Sequence, residues 1–233
     1  MNRSRTYRWA FRIVWGVFAI VITMGCNPLS TIAFLTSRDA KEEAKHPLTF
    51  KEGPKKDKAE IVVALFVSQN TGQSFDFSLA DGVIASEMAK RLPELAKLNK
   101  QKLIVIAPSE VNKFKIKNPD WKVMHQTTWG KKLGADFVLA IHVEKMELYQ
   151  PGSLKQIYEG RAEVTVDTFD VDAGVGEPKS NYIYPFSYPK TVVRDVGSMP
   201  QGTFKKAFLE NLAEELAMQH IDHKASSGIA DGR

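Results

Sequence analysis

Apolar residues follow three spacings along this chain, and each spacing predicts a different kind of element. Ile61–Val67, Leu103–Ala107 and Phe137–Val143 are continuous apolar runs of strand length, rich in β-branched residues. Such runs predict strands buried on both faces, and the third is expected to continue, through a bulge, to Tyr149. From Tyr158 the pattern becomes alternating: Tyr158, Ala162, Val164 and Val166 are interleaved with Glu159, Arg161, Glu163, Thr165 and Asp167. A period of two predicts a half-buried antiparallel strand. After a hairpin loop at Asp172-Ala173-Gly174, the same period places Tyr182, Tyr184, Phe186 and Tyr188 on one face of Asn181–Tyr188, with Pro185 and Pro189 suited to a sheet edge.

Helical spacing fills the gaps. Val83, Ile84, Met88, Leu92 and Leu95 share one side of a predicted helix, with Ser78 and Asp81 as a capping box and Pro93 as a kink or new start. Pro108 and Ser109 end the second strand before a short helical segment. Asn118-Pro119-Asp120 predicts a helix start, and Gly134 a left-handed cap at the end of a helix reaching Leu133. Phe204, Phe208, Leu212 and Leu216 line a last helix, Gly202–Ile221, whose end is expected to fray. The order β-α-β-α-β-β-β-α, with two helical crossovers, predicts a single α/β layered domain. Its mixed sheet is part parallel and part antiparallel, with helices packed on it, over residues 60–223.

The start of the chain has a different pattern. Arg3, Arg5, Arg8 and Arg12 precede the apolar run from Ile13 to Ile22, then Thr23-Met24-Gly25-Cys26. A basic head, a short apolar core and small residues predict a secretory signal over 1–25. Gly25-Cys26 resembles the lipobox of bacterial lipoproteins, with Thr23 where leucine is usual. The resemblance implies cleavage before Cys26 and lipid (diacylglycerol and palmitate-class acyl chains) attached through its sulfur. The other reading is an uncleaved signal-anchor, because the 25 residues between Arg12 and Arg38 carry no charge and about 20 apolar residues span a bilayer. Both place the rest of the chain outside the cytoplasm. Residues 26–59, charged and broken by Pro47 and Gly53-Pro54, are expected to be a flexible tether, and 224–233 a disordered tail.

Charge changes this picture only slightly. The chain has 233 residues and a net charge of +5, of which the four N-terminal arginines supply +4. The remainder is nearly neutral, and no nucleic-acid partner is inferred from it. With Cys26, the only cysteine, serving as an anchor, no internal disulfide forms.

Candidate chemistry is sparse. His220 and His223 share a helical face but lack further ligands, so helix-end histidines are favoured over a metal site. His142, in an apolar strand, reads as a core or edge histidine before a catalytic base. Asp167, Asp170 and Asp172 lack the twelve-residue calcium spacing. No catalytic residue, metal or cofactor is assigned. The candidate partner-binding residues are Tyr182, Tyr184, Phe186 and Tyr188, unless that face packs under the last helix, together with Asn70 and Gln73 in the loop after the first strand.

Leu133-Gly134-Ala135-Asp136-Phe137-Val138-Leu139, a helix end entering a buried strand, resembles a group of envelope proteins. That group comprises the TolB amino-terminal domain, CsgG-like curli-secretion lipoproteins and lipoprotein activators of penicillin-binding proteins. The likeness covers about residues 60–169, without pore hairpins or propeller repeats. It implies a non-catalytic, membrane-tethered domain that binds another envelope protein. Asn27, where an inner-membrane retention signal would have aspartate, leans the location toward the outer membrane. The competing expectation is a periplasmic ligand-binding protein or enzyme with a pocket near His142.

Overall fold

The computed structural model describes residues 41–50, 60–70, 77–192 and 194–224. The signal, Cys26 and Gln73 lie outside the described residues. The chain divides into a main unit, Glu42–His223 with 228–233, and a smaller one, 1–41 with 224–227. Of the smaller unit only Lys41 and Lys224 are described. The large sheet and the α-helices belong to the main unit.

Its strands are β1 (Glu60–Gln69), β2 (Lys102–Val105), β3 (Phe137–Tyr149), β4 (Ile157–Asp170), β5 (Ser180–Tyr188) and a short β6 (Arg194–Asp195). Its α-helices are α1 (Ala80–Leu98), α2 (Pro108–Lys117), α3 (Gln126–Leu133) and α4 (Gln201–Met218). The sheet runs β2-β1-β3-β4-β5, and β6 pairs with one end of β4. β1 is parallel to both β2 and β3, whereas β3, β4 and β5 form an antiparallel meander. This is the mixed α/β sheet expected from the order of elements. The bulge in β3 appears as register shifts at Val143/Lys145 and Glu147/Tyr149.

Both faces of the parallel half are buried. Val63, Leu65 and Val67 join Phe137, Leu139, Ile141, Ile84, Met88, Leu92, Phe208, Leu212 and Leu216 in one core beneath α1 and α4. On the opposite face Ala64, Phe66, Val138 and Ala140 pack with Val111, Phe114, Trp129 and Phe169 beneath α2 and α3. The Leu-Gly-Ala-Asp junction works as a clasp. Gly134 adopts φ +71°, which glycine tolerates without a Cβ clash, and Ala135 N donates to Gly130 O. Asp136 is 3% exposed; its carboxylate accepts from Val62 N at 2.9 Å while its own N donates to Val62 O at 2.7 Å.

Three local expectations differ from the structure. Asn118 caps the end of α2, its side chain donating to Phe114 O, and α3 begins only at Gln126. Between them Trp121–Val123 forms a 3-10 turn that brings Trp121 against Phe66 and Trp129, and Trp129 Nε1 donates to Trp121 O. That aromatic packing outweighs the Asn-Pro-Asp start signal. Leu79, with no side-chain cap, begins α1; Asp81 accepts from Gln69 Nε2 instead. Pro93 lies inside the single helix α1, so of the kink and the new start expected there the new start does not occur.

Part of the expected tether also lies against the domain. Leu48 is 2% exposed, Phe50 packs on Phe137 with ring centroids 4.9 Å apart, and His46 N donates to Gln219 O. Residues 42–50 are therefore a strap on the main unit. Across the sheet, Gly160 makes room for the last helix: a Cβ there would sit 2.3 Å from the Phe208 ring. Gly160→Ala should cost about 1–3 kcal/mol through overpacking. Adding Phe208→Leu should make the pair less harmful than the sum of the single changes, a coupling that urea denaturation followed by circular dichroism will measure.

Candidate functional site

The tyrosine strip of β5 faces inward. Phe186 packs on Phe208 and Tyr188 on Phe204, with ring centroids 5.7 and 5.6 Å apart. Tyr184 Oη donates to Glu215 at 2.8 Å, and Lys190 pairs with the same carboxylate. Tyr182 Oη and His220 Nε2 are 3.0 Å apart, and His46 stacks on the Tyr182 ring at 3.9 Å, nearly parallel. A period of two puts four residues on one side, and here α4 and the strap cover that side. The outward residues of β5 are Asn181, Ile183, Pro185 and Ser187, all exposed.

His220 joins strand, helix end and strap. It is 1% exposed, and its Nδ1 donates to His46 O at 2.9 Å. The helix end that sequence reading expects to fray is thus held. Leu48 N donates to His220 O and Ala44 N to Asp222 Oδ1, while His223 lies 3.6 Å from Glu42. Lys179 adds bonds to the carbonyls of Pro47 and Thr49. Burial pushes the His220 pKa down to about 4 from an ordinary 6.5; the bond to the His46 carbonyl opposes this, while the charges of His46 and Lys179 act with burial. Burial also lowers His46, helped by Lys45. Tyr182 is raised by burial, and Tyr184 by burial and its bond to Glu215.

The remaining candidates are dispersed. Asn70 is exposed and bonds to Glu144 across the sheet. His142 is half-buried on the opposite face, its Nδ1 2.7 Å from Ser68 Oγ. Clefts among the described residues include one of about 140 Å³ beside Lys145, Glu147, Arg161 and Glu163, one of about 310 Å³ between Thr127 and the 173–179 loop, and one of about 480 Å³ along the β3–β4 turn. Neither Ser68 nor His142 lines any of these. In the first, opposite charges alternate across neighbouring strands, with Arg161 bonded to Glu147. Among the described residues no group of three or more His, Cys, Asp or Glu is arranged to hold a metal, and no helix is long and apolar enough to cross a membrane.

Sequence reading overlooked a basic lobe. Residues 97–132 hold nine lysines against two acids, Glu110 and Asp120. The signal was available in the sequence as a local charge count, which the nearly neutral total conceals. Lys113, Lys117, Lys122, Lys131 and Lys132 are exposed on α2, the 3-10 turn and α3. Lys115 is different. It is half-buried, donates to Val67 O and lies 4.9 Å from the Trp121 ring centre; burial lowers its pKa.

No family model and no curated protein matches the chain. Solved structures similar to it include the PelC dodecamer from Paraburkholderia phytofirmans, at 12% identity over 69% of this chain and 87% of that one, TM-score 0.36. The hypothetical protein CT253 from Chlamydia trachomatis is 17% identical over 69% and 98% of the two chains, TM-score 0.40. Lipoprotein GNA1162 from Neisseria meningitidis is 14% identical over 68% and 98%, TM-score 0.40. Similarities of this size carry no argument about family or activity, and the chain's own residues must carry the functional reading.

The His220 contacts predict an acid-labile fold. Its folded pKa, about 4, lies below the ordinary 6.5, so the fold favours the neutral ring. Its contribution is complete above about pH 6.5 and is lost as pH falls through about 4. Urea midpoints should drop across that window. His220→Gln, which cannot titrate, should be less stable at pH 7 by about 1–3 kcal/mol and show a flatter pH dependence between 6.5 and 4.

Proposed function

We propose that this chain is a non-enzymatic, membrane-tethered lipoprotein of the bacterial cell envelope that binds another envelope protein. The observation that carries the reading is the N-terminal series: four arginines, an uncharged apolar run and Gly25-Cys26, with Cys26 the only cysteine in 233 residues. Residues 1–25 are removed as a signal, lipid is attached to the Cys26 sulfur, and the domain faces the periplasm. Asn27 in place of aspartate favours the outer membrane.

The domain's chemistry fits a binding role. His220 is committed to holding the strap, through its bonds to Tyr182 and to the His46 carbonyl. The resemblance at Leu133–Leu139 to the TolB, CsgG-like and penicillin-binding-protein-activator group points the same way. On this reading the partner meets the open side of the meander. Asn70 and the outward residues of β5 offer contacts there, and the tyrosines stiffen the strand from behind. Gln73, outside the described residues, stays a candidate contact on its sequence alone.

Mass spectrometry of the membrane form should show a chain beginning at Cys26 with added lipid mass. Cys26→Ala should release the protein from membranes or leave it as an unprocessed precursor. A chain that keeps residues 1–25 and stays membrane-bound after Cys26→Ala is instead an uncleaved signal-anchor subunit.

A further inference from the structure

We propose that the lobe formed by α2, the Trp121–Val123 turn and α3 docks on an anionic phospholipid surface. From Pro108 to Leu133 the chain carries six lysines and two acids, Asp120 and Glu110, the latter paired with Lys113 at 2.7 Å. Ile116 and Val123 project among them, 80% and 85% exposed. A single exposed aliphatic residue is ordinary; here two occur within a cluster of like charge.

These residues form one surface because the local packing joins the three elements. Lys132 Nζ donates to Asn118 Oδ1 at 2.9 Å, which sets the end of α3 beside the cap of α2. Trp121 lies between Lys115 and Lys122, 4.9 and 5.9 Å from its ring centre. Trp129, Phe114 and Val111 fix the lobe to the sheet from below. Lys115 belongs to this support, and the other five lysines to the exposed surface.

The chemistry favours a bilayer over other polyanions. Lysine is a compact charge on a long apolar stem, suited to a diffuse field of headgroups, and its stem can lie along apolar surface. Residues 113–132 contain no arginine, the residue that recognises individual phosphates and carboxylates in a bidentate way. The indole of Trp121 is occupied by lysine cations and is not an open platform for stacking bases. Ile116 and Val123 gain from leaving water at an interface but have no counterpart on a nucleic-acid backbone. Basic residues near an anionic leaflet each add to the attraction, which salt screens. The inference goes beyond the tether reading and holds for either kind of N-terminal anchor.

The test uses the whole chain with its anchor, reconstituted into neutral phosphatidylcholine vesicles and into vesicles with about 30% phosphatidylglycerol. A brief amine-labelling pulse is read lysine by lysine by mass spectrometry. In anionic vesicles Lys117, Lys122, Lys131 and Lys132 should be labelled about tenfold more slowly than in neutral ones. The difference should shrink at high salt, while exposed Lys206 on α4 keeps its rate. Exchanging those four lysines for glutamine, or Ile116 and Val123 for serine, should reduce the protection. Equal rates for the wild-type chain in both vesicles would overturn the proposal. So would protection by soluble single-stranded DNA or polyglutamate without protection by anionic vesicles. The tether reading stands or falls separately, on lipid mass at Cys26 and retention by neutral vesicles.

Discussion

The two strands at the centre of this sheet have no polar face along their middle, and the rest of the domain is arranged around covering them. Val63–Val67 and Phe137–Ile141 are buried residue after residue, whichever way their side chains point. One layer of helices cannot satisfy such strands, so α1 and α4 take one face while α2 and α3 take the other. The meander has a different requirement. Its alternating residues need cover on one side only, and α4 and the strap supply it. The second helical layer stops where the need for it stops, leaving the outer faces of β4 and β5 to solvent.

That asymmetry sorts the molecule's surfaces. The covered side holds the hydroxyls of Tyr182 and Tyr184 and both ring nitrogens of His220, each paired because burial would otherwise leave it unsatisfied. The opposite side divides into a polar sheet face with paired charges of both signs and a lobe whose charge is nearly all positive. The first suits selective contact with a protein surface, the second a broad field of opposite charge. They arise from adjacent parts of one sheet, and the two proposals above give them different kinds of neighbour.

Much of the fold was legible from the chain because continuous and alternating apolar patterns impose different burial. Gly134 was legible too, since few residues other than glycine suit its backbone angle. Where the chain left a reading open or pointed elsewhere, the causes are physical. Period two in β5 tells that Tyr182, Tyr184, Phe186 and Tyr188 share a side, not which side α4 will cover. Leu48 and Phe50 are too few to mark residues 42–50 as packed, and their partners, His220 and Phe137, are far away in sequence. The Asn-Pro-Asp start at 118 lost to Trp121, whose burial depends on Phe66 from another element. The lysine lobe was hidden by summing charge over a whole chain, when what a neighbour senses is charge over a patch.

The strap has a kinetic meaning as well. His46 and His220 are separated by 174 positions, and Ala44 reaches Asp222 across 178. A ribosome delivers the first of each pair long before the second, and so does any machinery that threads the chain from its leading end. The leading segment must therefore wait, unpaired, until translation is nearly finished. The seam cannot close before residues 219–222 have been delivered, which gives premature termination anywhere before Gln219 a specific penalty. The truncated product would lack both the lock at its front and, with α4 shortened or missing, the lid over its central strands.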